Sequence, residues 1–307
     1  MGSKTTYFED VPLILEKGLK YNNKTEDELK QDIQILQEWV ETQPHLPEVP
    51  DNNMMTCFLM MNKFSIENTK RRIDMYYSMR SLFPDFFENK HPLASHMLKL
   101  MDTVYFLPLP KATEEGYRVS IFTIPVEDHC LFEISDFFGH TYNIADVKLR
   151  EDCMLGDILI YDLKNIKMAQ LTTATPTIMK NSATIFQEVF NANLKQLHFV
   201  NCPSFAEPII LLGKTLTKPK VAQRFHFHKD IHSLLNFIPA RILPSDFGGE
   251  ELPLQKLNEQ WKKKFGEYKV VFDVLATLRV DEKLRPTPLV NDEVLGFYGN
   301  FKKLDVD

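Results

Sequence analysis

Apolar positions in the first eighty residues recur three and four apart. Leu29, Ile33, Leu36 and Val40 form one such stripe, the spacing of a helix with a single buried face. Thr25-Glu26-Asp27-Glu28 ahead of it reads as a capping box, with Thr25 at the N-cap and Glu28 at N3. Pro44 and Pro47 close the segment. A second apolar block, 54–61, ends at Asn62-Lys63-Phe64, and its four methionines suit core packing because Met fills irregular gaps. Ser65 suits the N-cap of a third helix, with Ile66, Ile73 and Tyr77 on one stripe and Pro84 at its end. The pattern predicts a small helical domain over 25–83.

From Tyr117 onward the period changes. Val119-Ser120-Ile121-Phe122-Thr123-Ile124 is rich in the β-branched and aromatic residues that strands favour. Ile158-Leu159-Ile160-Tyr161 is a continuous apolar run, as in a strand covered on both faces. Leu197-His198-Phe199-Val200 and Phe225-His226-Phe227-His228 read as two more strands. The intervals between these last three are about 35 and 25 residues, long enough for helical crossovers, so the sheet is expected to be mainly parallel. The fold class is therefore α/β behind a helical front.

The two crossovers differ. Thr175 caps the first and Pro176 opens it, after which Ile178, Ser182, Ile185 and Val189 share one face. Ser182 puts a hydroxyl inside an otherwise apolar stripe, suited to core packing or to the polar tip of a ligand. The second crossover, 205–216, carries Phe205, Ile209, Leu212 and Leu216 on one stripe between Pro203 and Pro219, an arrangement suited to a movable lid.

Charge changes this picture more than composition does. The 307 residues carry a net charge of −6, yet 208–229 holds no Asp or Glu and includes Lys214, Lys218, Lys220, Arg224 and Lys229. A basic island beside an apolar lid fits an anionic membrane surface, at about 1 kcal/mol per cation. The acidic total argues against bulk nucleic-acid binding. Only 11 glycines against 23 phenylalanines leave little for phosphate loops and much for apolar lining. Cys57, Cys130, Cys153 and Cys202 form no CxxC pair, which fits free thiols in a reducing compartment. No apolar run approaches the ~20 residues of a membrane span, and no apolar leader opens the chain. The expected location is cytoplasmic, with transient membrane contact.

Chemical motifs are largely absent. Gly213-Lys214-Thr215 mimics the end of a P-loop, but Pro208 stands where its first glycine is needed. GxGxxG, GxSxG and HExxH do not occur. Cys202 is four residues from His198 along a strand, too far for a nucleophile and its base. His226 and His228, with His232 after them, lack a cysteine or carboxylate to complete a metal set. No catalytic residue, metal or cofactor is assigned.

Four motifs, the last in two parts, bring a resemblance. Gly156-Asp157-Ile158-Leu159-Ile160-Tyr161-Asp162-Leu163, Leu197-His198-Phe199-Val200-Asn201-Cys202-Pro203 and Arg224-Phe225-His226-Phe227-His228 follow one another in order. Asn236-Phe237-Ile238-Pro239 and Leu243-Pro244-Ser245-Asp246-Phe247-Gly248-Gly249-Glu250 complete the set. Together they resemble the strands and the FIP…LPxEYGG signature of the CRAL-TRIO lipid-binding family, with Asp-Phe in place of Glu-Tyr. The resemblance implies an N-terminal segment (1–24), a helical domain (25–90), a CRAL-TRIO lipid-binding domain (91–265) and a C-terminal tail (266–307).

It also implies a soluble, non-enzymatic, monomeric carrier of one hydrophobic molecule under a mobile gate helix. The pocket residues so implied are Tyr142, Asn143, Tyr161, Met168, Thr172, Ile185, Phe186 and Val189, with Phe205, Ile209 and Leu212 from the gate; Ser182 joins them from the helical stripe. Some family members hold phosphoinositides on basic residues near the gate. The positions matching here are Lys195, Lys214, Lys220 and Arg224, with Lys218 in the same island, whereas Asn193 and Ala222 depart from that pattern. The front domain departs too, since 57–64 lacks the arginines usual there. A lining without buried charge points to a neutral isoprenoid: a retinoid, tocopherol, carotenoid or relative. The alternatives are phosphatidylinositol or other phospholipid exchange, and a lipid-responsive adaptor that uses the tail for a protein partner.

Overall fold

The computed structural model describes residues 6–126, 132–190, 193–215 and 219–289. Helices α1 (Val11–Tyr21), α2 (Glu26–Glu41), α3 (Asn52–Met61), α4 (Ile66–Leu82) and α5 (Ser95–Thr103) precede the sheet. The capping box of α2 is formed as expected: the Glu28 backbone N–H donates to the Thr25 hydroxyl, and the Thr25 N–H donates to the Glu28 carboxylate. Asp51 and Ser65 cap α3 and α4 by accepting from the Met54 and Asn68 N–H groups. Leu29, Ile33, Leu36, Val40, Ile73 and Tyr77 are buried in the front-domain core, with all four methionines at 54–61 buried or packed on it.

A five-stranded sheet follows in the order β1-β2-β3-β4-β5. Strands β2 (Tyr117–Thr123), β3 (Gly156–Asp162), β4 (Leu194–Val200) and β5 (Phe225–Phe227) are parallel, while β1 (Tyr105–Ala112) pairs antiparallel with β2. Strand β1 escaped the sequence pattern because Pro108 and Pro110 interrupt it. An edge strand tolerates such prolines, and the register here shifts between Pro108 and Ala112.

Helix α6 (Ile134–Glu151) connects β2 to β3. Helices α7 (Met168–Thr173) and α8 (Pro176–Ile185), with a π turn at Phe186–Phe190, connect β3 to β4. Thr175 caps α8 by accepting from the Ile178 N–H. Helices α9 (Glu207–Thr215) and α10 (Pro219–Ala222) lead to β5. After β5 the chain folds back through Gly248 and Gly249. Gly248 adopts a φ of 73°, and a Cβ on Gly249 would lie 1.9 Å from the Leu243 carbonyl oxygen, so neither position accepts a side chain. Asp246, which replaces the resembling family's glutamate, accepts from the Leu254 N–H at 2.7 Å and starts α11 (Leu254–Glu267).

Two buried ties join the helical front to the rest. Arg80 of α4 pairs with Asp146 of α6 at 2.8 Å, and the Tyr76 hydroxyl donates to the same carboxylate at 2.6 Å. The C-terminal stretch is a third connection. Trp261 is fully buried, α12 (Lys269–Thr277) buries Phe272 and Leu275, and Arg285 bonds Asp74 and Ser78 of α4. The tail expected from the sequence is thus packed as far as Leu289; its remainder lies outside the described residues.

Candidate functional site

Strand register sorts the sheet's side chains into two faces. Leu107, Ile121, Ile160 and His198 are opposite one another on one face and all fully buried. On the other face Phe106, Phe122, Tyr161, Phe199 and Phe227 form a row that crosses all five strands. Neighbouring rings in it lie close: Phe122–Tyr161 5.4 Å, Tyr161–Phe199 5.7 Å and Phe199–Phe227 5.2 Å between centroids. One step towards the strand starts is a second row, Pro108, Ser120, Leu159, Leu197 and Phe225. The step beyond pairs Arg118 with Asp157.

Helix α6 and the π turn cover part of this second face and leave a cavity. It is lined by Phe106, Ser120 and Leu159 of the sheet, Thr141, Tyr142, Ala145, Lys148 and Leu149 of α6, Phe186 and Phe190 of the π turn, and Met61 of α3. Its free volume is about 40 Å³, far below the ~300–1,000 Å³ of ordinary small-molecule sites. Aromatic side chains fill the remainder: Tyr142 stacks on Phe190 and on Phe87, each at 5.5 Å, and its hydroxyl lies 2.9 Å from the Ser182 hydroxyl. Burial raises the Tyr142 pKa.

Of the pocket residues expected from the sequence, the structure brings Tyr142, Ser182 and Phe186 together here, with Tyr161 on the same sheet face. Ile185 and Val189 are buried in the same cluster as Tyr142 and Phe190, where it meets the helices of the front. Asn143 faces a different pocket, beside Arg80 and His91, and donates to the Lys90 carbonyl at 2.6 Å. Met168 and Thr172 are exposed on α7, and Phe205 is half-buried against the main core. Ile209 and Leu212 fall within α9, but their side chains lie outside what the structure describes. Sequence reasoning missed the Lys148–Asp157 ion pair on the cavity wall, at 2.8 Å. The expectation of a lining without buried charge does not hold.

Beside the starts of β3 and β4 lies a basic cleft of about 690 Å³. Lys195, Lys220 and Arg224 from the basic set line it, joined by Lys63 and Arg72 of the helical front. Gly156 makes room for one of them: a Cβ there would lie 2.7 Å from the Lys195 chain. Burial, then the charges of Arg224, Lys63 and Lys220, lower the Lys195 pKa. Lys214 sits apart, 5.9 Å above the Phe225 ring, and Lys218 is outside the described residues. Lys63 and Arg72 belong to the helical front, far in sequence from the basic island they join. Arg72 also donates to the Val189 carbonyl at 3.0 Å, while Arg71 pairs with Glu188 at 2.6 Å, so the front domain grips the π turn that roofs the cavity.

The three strand histidines form a stack rather than a metal set. His198 lies 5.0 Å from both His226 and His228, and Phe237 packs against all three. His198 Nδ1 and His228 Nε2 are hydrogen-bonded at 2.8 Å. Among the described residues no group of three or more His, Cys, Asp or Glu is arranged to hold a metal ion, and no helix is long and apolar enough to cross a membrane. Cys57, Cys153 and Cys202 are free thiols, and Cys130 is outside the described residues.

Comparison with known proteins agrees with this architecture. The family model "Pinta-like, UBA domain" matches residues 25–97, and the model "CRAL/TRIO domain" matches 93–249. Alpha-tocopherol transfer protein-like of Mus musculus is 25% identical over 222 residues, covering 71% of this chain and 64% of its own length. Clavesin-1 of Rattus norvegicus is 28% identical over 243 residues, covering 78% of this chain and 68% of its own. The crystal structure of Sfh5 aligns over 81% of this chain and 99% of its own, with a TM-score of 0.49 and 12% identity. The chain thus spans just under two thirds of the tocopherol transfer protein-like relative. With the CRAL/TRIO model matching 93–249, just over half of the 307 residues, the chain belongs to the CRAL/TRIO domain family.

Proposed function

We propose that this protein is a non-enzymatic carrier that takes one hydrophobic small molecule between the ring-lined sheet face and the helices over it, and exchanges it at anionic membranes. The observation that carries the reading is the pairing of an aromatic row across all five strands with a five-cation cleft at the same sheet. The names of the tocopherol transfer protein-like relatives favour an isoprenoid-sized ligand. Burying ~400 Å² of such a ligand is worth about 10 kcal/mol relative to water. Relative to a bilayer the gain nearly vanishes, which suits shuttling rather than permanent capture.

Loading requires the cavity to widen. The natural moving parts are helices α7, α8 and α9, on which Met168, Met179 and Leu211 are exposed. The cleft supplies the docking charge, at about 1 kcal/mol for each cation near an anionic surface. Lys220→Glu with Arg224→Glu is expected to slow transfer to phosphoinositide-containing vesicles while leaving transfer to neutral vesicles unchanged. Unchanged transfer to both would remove the docking step from the reading. Native mass spectrometry of protein purified from its natural source is expected to show one co-purifying lipid, and none above background would remove the carrier reading itself.

A further inference from the structure

The carrier reading leaves the charge pair on the cavity wall without a task. Lys148 and Asp157 have side chains only 9% and 4% exposed, yet both line the cavity beside Ser120, Leu159 and Phe186. Taking two charges out of water costs several kcal/mol per ion, and an apolar pair of similar volume is commonly at least as stable. Stability alone therefore gives no reason to keep this pair on an otherwise apolar wall.

The donor capacity of Lys148 is not exhausted by the pair. An ammonium has three N–H donors, and among the described residues the only side-chain hydrogen bond of Lys148 is to Asp157. The neighbouring cation is already occupied: Arg118 pairs with both oxygens of Asp152 and donates to the Leu109 and Pro110 carbonyls. Position matters as much as charge. From Asp157 to Tyr161 the cavity face of β3 runs from the ion pair through Leu159 to the ring row, a span of ~13 Å. An elongated molecule lying along the strand would meet a cation at one end and rings at the other.

We propose that the cavity receives an amphiphile whose buried end is a carboxylate, held by the Lys148 ammonium. This rests on the carrier reading and specifies the ligand class within it: an alkyl or isoprenoid chain that ends in an acid rather than a hydroxyl. The proposal needs no new bond, only an exchange of hydrogen-bond partners at Lys148. A charge-assisted hydrogen bond is roughly twice as strong as a neutral one. The proposal requires it to outweigh the desolvation of the carboxylate, leaving the acid bound about tenfold tighter than its alcohol.

Equilibrium binding of palmitate against hexadecanol, and of retinoic acid against retinol, to the intact chain tests this. The wild type should prefer each acid about tenfold. Lys148→Met combined with Asp157→Leu should abolish the preference while keeping the alcohols bound, which also shows that the cavity persists. Asp157→Asn, which removes the competing carboxylate and keeps the ammonium, should tighten acid binding. Equal acid and alcohol binding to the wild type, a preference that survives the double substitution, or weaker acid binding by Asp157→Asn would each overturn the proposal. Failure of the wild type to bind any of the four would overturn this proposal, whereas the carrier reading falls only if no lipid co-purifies.

Discussion

Residues 160 and 161 are neighbours in β3 and face opposite ways. Ile160 is fully buried, within a face that also buries Leu107, Ile121 and His198. Tyr161 is only half-buried, and its row ends at Phe227, 38% exposed on the edge strand. Phe106, Phe122 and Phe199 of the same row are buried, so the second face opens only at Tyr161 and at the edge strand. A half-covered ring such as Tyr161 beside a fully buried neighbour suits a surface that receives an apolar guest. The contrast separates residues that hold the fold from residues held in reserve for a ligand.

The sharpest way to break this contrast is to shorten each neighbour in turn. Ile160→Ala should cost about 2–5 kcal/mol, because the cavity it leaves has dense packing on every side. Tyr161→Ala removes more atoms, yet part of that ring already touches solvent, so its cost should be smaller while hydrophobe binding falls. Urea unfolding midpoints with binding measured on the folded fraction read both effects. Equal costs, with ligand binding unaffected by Tyr161→Ala, would mean that both faces are simply core.

How far the sequence reveals this arrangement depends on how local each feature is. The Thr25 cap, the Leu29–Val40 stripe and the apolar strand runs are written within a few residues, and the structure has them where the pattern predicts. Strand β1 is not legible, since Pro108 and Pro110 break the run and only its edge position makes them acceptable. The ring row is visible as phenylalanine content, but strand register alone aligns Phe106, Phe122, Tyr161, Phe199 and Phe227. Lys63 and Arg72 reach the basic cleft from another part of the chain, and no local spacing announces that meeting. Lys148 and Asp157 are close in sequence but belong to a helix and a strand, so their pairing becomes legible only when α6 lies over β3.

Acid should act unequally on the buried groups. Burial, then His228 and His226, hold His198 on the closed face down to about 3, and burial beneath α11 holds His140 down to about 4. The unfolded chain takes up these protons near pH 6.5, while the folded chain does so only further down. Stability is therefore complete above pH 6.5 and declines as pH falls towards the folded values, by about 3 kcal/mol from His140 alone. Asp157 on the cavity face has the opposite sign, because burial raises its pKa, so its ionisation costs stability as pH rises. Urea midpoints between pH 7.5 and 4.5 should fall for the wild type, and His140→Leu should flatten that fall. An unchanged slope would mean that His140 is not the group held neutral.

The smallest expected effect tests whether the cavity face is loosely held. Tyr142 lies between Phe190 and Phe87, and its hydroxyl meets only Ser182 among the described residues. Tyr142→Phe keeps the stacked ring and removes that contact, so stability should fall by about 1 kcal/mol or less. The Ser182 hydroxyl would then lose its partner inside an apolar stripe. Hydrophobe uptake should become faster, because the side chain filling the cavity is no longer tied to α8. Stopped-flow uptake of a fluorescent retinoid, set beside the unfolding midpoint, separates the two consequences. A loss of several kcal/mol with no change in uptake rate would make this hydroxyl pair a core clamp, and the cavity face would then be as closed as the other.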